Sequence, residues 1–182
     1  QDRLDAFKAD FLAGRPPYDR VPAGAHAIMA RATAALLASG QAERAIGVGD
    51  VAPAFTLQDQ EGRSVRSEDL LARGALVVSF YRGVWCPYCN LELQALNAAL
   101  AQITAHGATL VAISPQTAVN SRRSVRDNRL EFPVLGDPGN QVAAAYGLRF
   151  TLPDELVALY RQLHNELPDF NGDVSWTLPM PA

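Results

Sequence analysis

The chain has 182 residues, a formal net charge of −3 and an apolar share of 48%. That length suits one globular domain with an appendage and a sizeable core, and the mild acidity excludes the broad basic surface that nucleic acid or an anionic membrane requires. No stretch reaches the about 18 uncharged apolar residues of a membrane helix, and with Lys8 as the only lysine, Schiff-base catalysis is not expected.

In chain order, residues 2–13 mix charge with Leu4, Phe7 and Leu12 and predict a short helix ended by Gly14-Arg15-Pro16-Pro17. A second helix is expected over Ala23 to Ala38, closed by Ser39-Gly40. Residues 1–45 thus form an N-terminal helical extension, read as packing on the body, with a homodimer arm as the alternative. The main domain spans 46–182. It opens with a loop, then a hairpin, Ala54–Gln58 and Gly62–Val65, around Asp59-Gln60-Glu61-Gly62. A short helix starts at Ser67. Apolar β-branched runs at Leu76–Tyr81, Thr109–Ser114 and Phe132–Leu135 predict buried strands. Between them, helices are expected from Pro87 to Gly107 and over Ala118–Arg129. The first of these carries a stripe at Leu91, Ala95, Ala98 and Ala99, widened by Leu93, Leu96 and Leu100. On the second, Arg122, Arg126 and Arg129, with Arg123 beside them, read as a solvated face rather than an anion site. Helices over Gln141–Tyr146 and 153–166, a loop over Pro168–Asp173 and a short apolar end complete the α/β alternation, which argues for a sheet covered on both faces.

The chemistry concentrates between the strand ending at Tyr81 and the helix that follows. Cys86-Pro87-Tyr88-Cys89 holds the only two cysteines. Proline suits the first helical position, because its missing N–H has no partner there. Cys86 then falls at the N-cap and Cys89 in the first turn, where free N–H groups and the helix dipole favour the thiolate. The spacing lets the sulfurs close a disulfide, so the loop reads as a redox switch with no bound cofactor. A turn position argues against burial of both sulfurs. His26, His106 and His164 are scattered without metal-ligand spacing, so no metal site is expected. Two close cysteines, and no signal peptide, point to a reducing compartment, the cytoplasm.

Several motifs carry a resemblance. Gly49-Asp50-x-Ala52-Pro53-x-Phe55-x-Leu57, Val78-x-Phe80-Tyr81, Val111-Ala112-Ile113-Ser114, Phe132-Pro133-Val134-Leu135-Gly136-Asp137-Pro138 and Val142-Ala143-x-x-Tyr146-Gly147 resemble peroxiredoxins of the alkyl hydroperoxide reductase/thiol-specific antioxidant family over about residues 46–148. The resemblance implies a thioredoxin-like, peroxiredoxin-type three-layer sandwich with a central mixed sheet. The loop departs from the family's Pro-x-x-x-Thr/Ser-x-x-Cys: the attacking position falls on Cys89, the Thr position on Cys86 and the Pro position on Arg82. The family's late arginine, which polarises thiolate and peroxide, would fall at or past Ala182. Phe80-Tyr81-x-x-x-Trp85-Cys86-x-x-Cys89 is instead similar to thioredoxin, in which Cys86 would attack and Cys89 resolve. In that fold a cis-proline faces the cysteines, and Pro181 is the candidate. The final hairpin and helix that would follow it are absent, so an open sheet edge is expected.

The resemblance implies a thiol peroxidase that reduces hydrogen peroxide or organic hydroperoxides through Cys86 and Cys89 and is reset by a thioredoxin- or glutathione-type reductant. A protein disulfide oxidoreductase with Cys86 as nucleophile, and a non-enzymatic redox sensor or interaction domain, are the alternatives. Arg82 reads either as positive charge brought to the sulfurs or as a surface arginine, with neither favoured; Trp85 is expected to pack or shield the loop, and Pro87 to open the helix.

Overall fold

The computed structural model describes residues 2–15 and 21–182; the expected stop at Pro16-Pro17 lies outside them. A five-stranded sheet runs in the order β2-β1-β5-β4-β3, with β1 (Thr56–Asp59), β2 (Ser64–Arg66), β3 (Leu76–Phe80), β4 (Thr109–Ser114) and β5 (Val134–Gly136). Strands β3, β4 and β5 are parallel, and β1 joins β5 antiparallel, so the sheet is mixed. The predicted hairpin forms: Asp59 accepts the N–H groups of Glu61 and Arg63 and the Arg63 Nε–H at 2.8 Å. Burial would raise its pKa, but these donors outweigh burial and hold it below the ordinary range.

Two layers of helices follow from alternation along β4. Leu110 and Ala112 face one side, with α4 (Pro87–Ala105), while Val111 and Ile113 face the other, with Phe80, Ala143 and Tyr146. Strand β4 is buried on both faces, as its unbroken apolar run requires. The buried stripe of α4 differs from the expected one. Cys89 and Leu93 are buried, with Leu96, Leu100 and Ile103 packed behind them, whereas Ala95 and Ala98 are exposed. Cysteine sets the phase: once Cys89 faces inward, positions four, seven, eleven and fourteen residues on follow it. A fully buried leucine such as Leu93 contributes about 1.5–3 kcal/mol.

Helix α5 (Ala118–Asn128) ends one residue early, because Arg129 turns to φ 52°. Its arginines are exposed, Arg123 and Arg126 against Asp127 and Arg122 on the Gln60 carbonyl. Short helices α3 (Ser67–Leu71) and α6 (Gln141–Ala145) complete the layers, and the buried Asp137 carboxylate accepts the Val142 and Ala143 N–H groups at 3.0 and 2.9 Å.

The last third differs from expectation in detail. The helix expected over 153–166 is α7 (Asp154–Gln162); the loop expected at 168 begins as a second helix, α8 (Leu167–Asn171). Two unpredicted strands, β6 (Arg149–Thr151) and β7 (Thr177–Pro179), pair antiparallel as a separate sheet. Three-residue strands carry too little periodicity to be read from sequence. Both N-terminal helices pack on this body. Phe7 of α1 (Asp2–Leu12) is buried, with its ring edge-on to Tyr88 at 4.5 Å. Helix α2 (Ala25–Ala38) shares a core with α7 and pairs Arg31 with Glu155 at 2.8 Å. At the outer edge of β3, the N–H and carbonyl of Phe80 both pair with Ala182.

Candidate active site

The strand-to-helix turn forms as the residue chemistry requires. Cys86 is the N-cap of α4, Pro87 is the first helical residue and is exposed, and the Cys89 N–H donates to Cys86 Sγ at 3.3 Å. The two sulfurs lie 2.6 Å apart as free cysteines, so closing the disulfide needs only a local shift. Both residues are only 1% exposed, which corrects the expectation that a turn would leave one of them open. The reason is tertiary. Tyr88 is covered by Phe7, and Trp85 by Tyr160 at 5.3 Å and Phe170 at 6.5 Å. Trp85 and Tyr88 thus pack against the cluster that holds both sulfurs.

Of the two readings of Arg82, the structure shows the one beside the sulfurs: it is half-buried, and its Nη2 donates to Cys86 Sγ at 3.2 Å. The pair shares one readily lost proton. Cys89 is pulled down to about 6, chiefly by the hydrogen bond from Cys86, with Arg82 adding to it and burial opposing. Cys86 is pushed up by that same bond and by burial, against Arg82. The backbone N–H and the guanidinium converge on Cys86, whereas the electrostatic balance gives the first charge to Cys89. Pro181 is exposed, held between Met180, whose N–H donates to the Leu148 carbonyl, and Ala182 on β3.

Three participants were not singled out from sequence. Gln116, just beyond β4 and 2% exposed, accepts the Val84 N–H at 3.0 Å through Oε1 and donates through Nε2 to Tyr81 Oη at 2.6 Å and Ser124 Oγ at 2.9 Å. Asn90 Nδ2 donates to the Val84 carbonyl at 2.8 Å, so both polar groups of that loop residue are fixed. The one signal for Gln116 is its place at the carboxyl end of a parallel strand, where open α/β sheets collect function. Tyr160 of α7 reaches the loop from far along the chain and leaves no local signal. Gly83 lies at φ 152°, and a Cβ there would come within 2.6 Å of Trp85 Nε1, so the loop needs glycine at this point.

The arrangement can do dithiol chemistry: a thiol held below its ordinary pKa, a cation beside it and a second sulfur in reach. Similarity agrees with the geometry. The thiol-disulfide oxidoreductase ResA of Bacillus thuringiensis is 28% identical over 102 residues, 56% of this chain and 58% of that protein. The chloroplastic peroxiredoxin Q of Oryza sativa is 29% identical over 131 residues, 72% of this chain and 58% of that protein. The chain thus spans about three fifths of the length of these curated relatives. The crystal structure of peroxidoxin BcpB from Mycobacterium tuberculosis superposes with a TM-score of 0.55 at 29% identity, covering 57% of this chain and 68% of that one. The fold is the thioredoxin-like sandwich of the peroxiredoxins, and the AhpC/TSA family model matches residues 48–169, well over half of the chain, which belongs to that family.

Proposed function

We propose that the chain is a dithiol peroxidase in which Cys89 attacks and Cys86 resolves. The Cys89 thiolate attacks the terminal peroxide oxygen, the O–O bond breaks, and its electron pair leaves on an alkoxide or hydroxide that takes up a proton. Cys89 becomes a sulfenic acid. Cys86 sulfur then displaces its oxygen as water, giving the disulfide, so the dithiol is oxidised by two electrons and the peroxide reduced. Arg82 supplies positive charge beside the sulfurs, Trp85 encloses them, and Pro87 and Pro181 hold the helix start and the facing strand edge.

The observation that carries this reading is the burial of both sulfurs, 1% exposed, beside the Arg82 guanidinium. An enclosed thiolate admits a small oxidant more readily than the disulfide of a folded protein. The same enclosure favours a small glutathione-type thiol as reductant, while a thioredoxin would need the covering aromatic side chains to part. A reducing compartment such as the cytoplasm fits this cycle, with residues 1–45 an extension of the 46–182 domain and a homodimer as a further expectation.

One observation favours the second reading, disulfide exchange with Cys86 as nucleophile: the N–H of Cys89 and Nη2 of Arg82 both converge on Cys86 Sγ. The test mixes hydrogen peroxide with the reduced protein and its Cys86→Ser and Cys89→Ser variants, traps sulfenic acid with a dimedone-type probe and reads the site by mass spectrometry. Rapid sulfenic acid on Cys89 in Cys86→Ser, with Cys89→Ser inert, is expected. Reaction at both sulfurs no faster than free cysteine overturns the peroxidase reading and leaves exchange, or a redox sensor, in its place.

A further inference from the structure

Trp85 packs both on the cluster that holds the sulfurs and on a core built from a distant segment. Tyr160 of α7 is 7% exposed, its ring meets Trp85 edge-on at 5.3 Å, and its hydroxyl faces the Arg82 guanidinium. Arg82 in turn lies 5.9 Å from the Trp85 ring centroid and donates to Cys86 Sγ. No carboxylate pairs with Arg82 among the described residues. The charged and titratable groups facing the sulfurs are thus Arg82 of the loop, Tyr160 of α7 and Tyr81 just beyond β3.

We propose that Tyr160 is a positioning residue of the redox site, whose hydroxyl holds the Arg82 guanidinium on the Cys86/Cys89 pair. An arginine carries five N–H donors on a long flexible stem, and one contact to sulfur leaves most of them to seek other partners. Left alone, the head group would turn toward water. A phenol fixed by its ring against Trp85 places a rigidly held oxygen near those donors. Burial raises the Tyr160 pKa, so the phenol stays neutral. A neutral acceptor orients the cation without cancelling it, whereas a carboxylate in that place would neutralise the charge meant for sulfur. The assignment is independent of whether the sulfurs meet a peroxide or a disulfide.

The test is a double-mutant cycle on the reduced protein, with Tyr160→Phe, Arg82→Met and both together. Thiolate absorbance in the ultraviolet is followed against pH. Phenylalanine keeps the ring that packs on Trp85 and removes only the hydroxyl. The midpoint, near 6 in the parent, is expected to rise by about one unit in Tyr160→Phe and at least as far in Arg82→Met, within the reach of one nearby opposite charge. The double variant is expected to titrate like Arg82→Met. An unchanged midpoint in Tyr160→Phe overturns the proposal. So does a shift of full size in the Arg82→Met background, because the hydroxyl would then act by a route other than the guanidinium. Peroxide reactivity is scored separately: a parent protein inert to peroxide would remove the peroxidase reading and leave this titration readable.

Discussion

The Cys-x-x-Cys loop lies between two unlike walls. On the sheet side, Gln116, Tyr81 and Ser124 form a closed buried network that fixes Val84, each side chain partnered by another. In the other wall, Arg82 and Tyr160 both pack on Trp85, yet Arg82 Nε and Trp85 Nε1 are buried without a hydrogen-bond partner among the described residues. A fully satisfied network rigidifies; unsatisfied donors in a low-dielectric site act strongly on any charge that forms beside them. The first wall is therefore a platform that fixes where the sulfurs are. The second, through Arg82, adds to an acidity that the hydrogen bond between the two sulfurs mainly sets.

The largest expected effect bears on the second wall. The rate of sulfenic acid formation in Cys86→Ser should be limited by thiolate at low pH, falling about tenfold per unit once the pH is below the thiolate midpoint. A stopped-flow series against pH checks this in the same variant, whose own midpoint is measured alongside. The parent's pair also links stability to pH. Cys89, acidic in the folded protein at about 6 against about 8.5 unfolded, stabilises fully above about 8.5 and loses that contribution as the pH falls through 6. Cys86, whose folded pKa is raised, works oppositely, and its contribution fades as the pH climbs above the unfolded thiol range. Denaturant midpoints of the reduced protein should therefore be highest near the unfolded thiol pKa, about 8.5, relative to a double serine variant.

The platform is tested next. Gln116→Met removes the acceptor of the Val84 N–H and the donor to Tyr81 and Ser124, and should cost about 2–4 kcal/mol, read as a lower denaturation midpoint. An unchanged midpoint would break the distinction between the walls. Gly83→Ala, which strains the backbone and drives a methyl into Trp85, should cost about 1–3 kcal/mol and shift tryptophan emission. The smallest effect belongs outside both walls. Arg122→Ala, on the exposed face of α5, should stay within about 0.5 kcal/mol and leave the thiol titration unmoved.

Much of this was legible in the residues themselves. Apolar β-branched runs named β3 and β4, because a strand buried on both faces has no polar period to hide. Proline between the cysteines set the start of α4, and with it the N-cap place of Cys86, because these are rules of one helix turn and need no partner. Aromatic type alone predicted that Trp85 would cover the loop. Burial of both sulfurs was another matter: it depends on Phe7, Tyr160 and Phe170, residues from both ends of the chain, which no local pattern brings together. The same is true of β6 and β7, short strands that exist only because each finds the other. Local sequence decided that two sulfurs would meet at a helix start. The tertiary structure decided that they would be enclosed, which cation would face them and what would hold it there, because acidity depends on every group within a few ångströms, however far away it lies in the sequence.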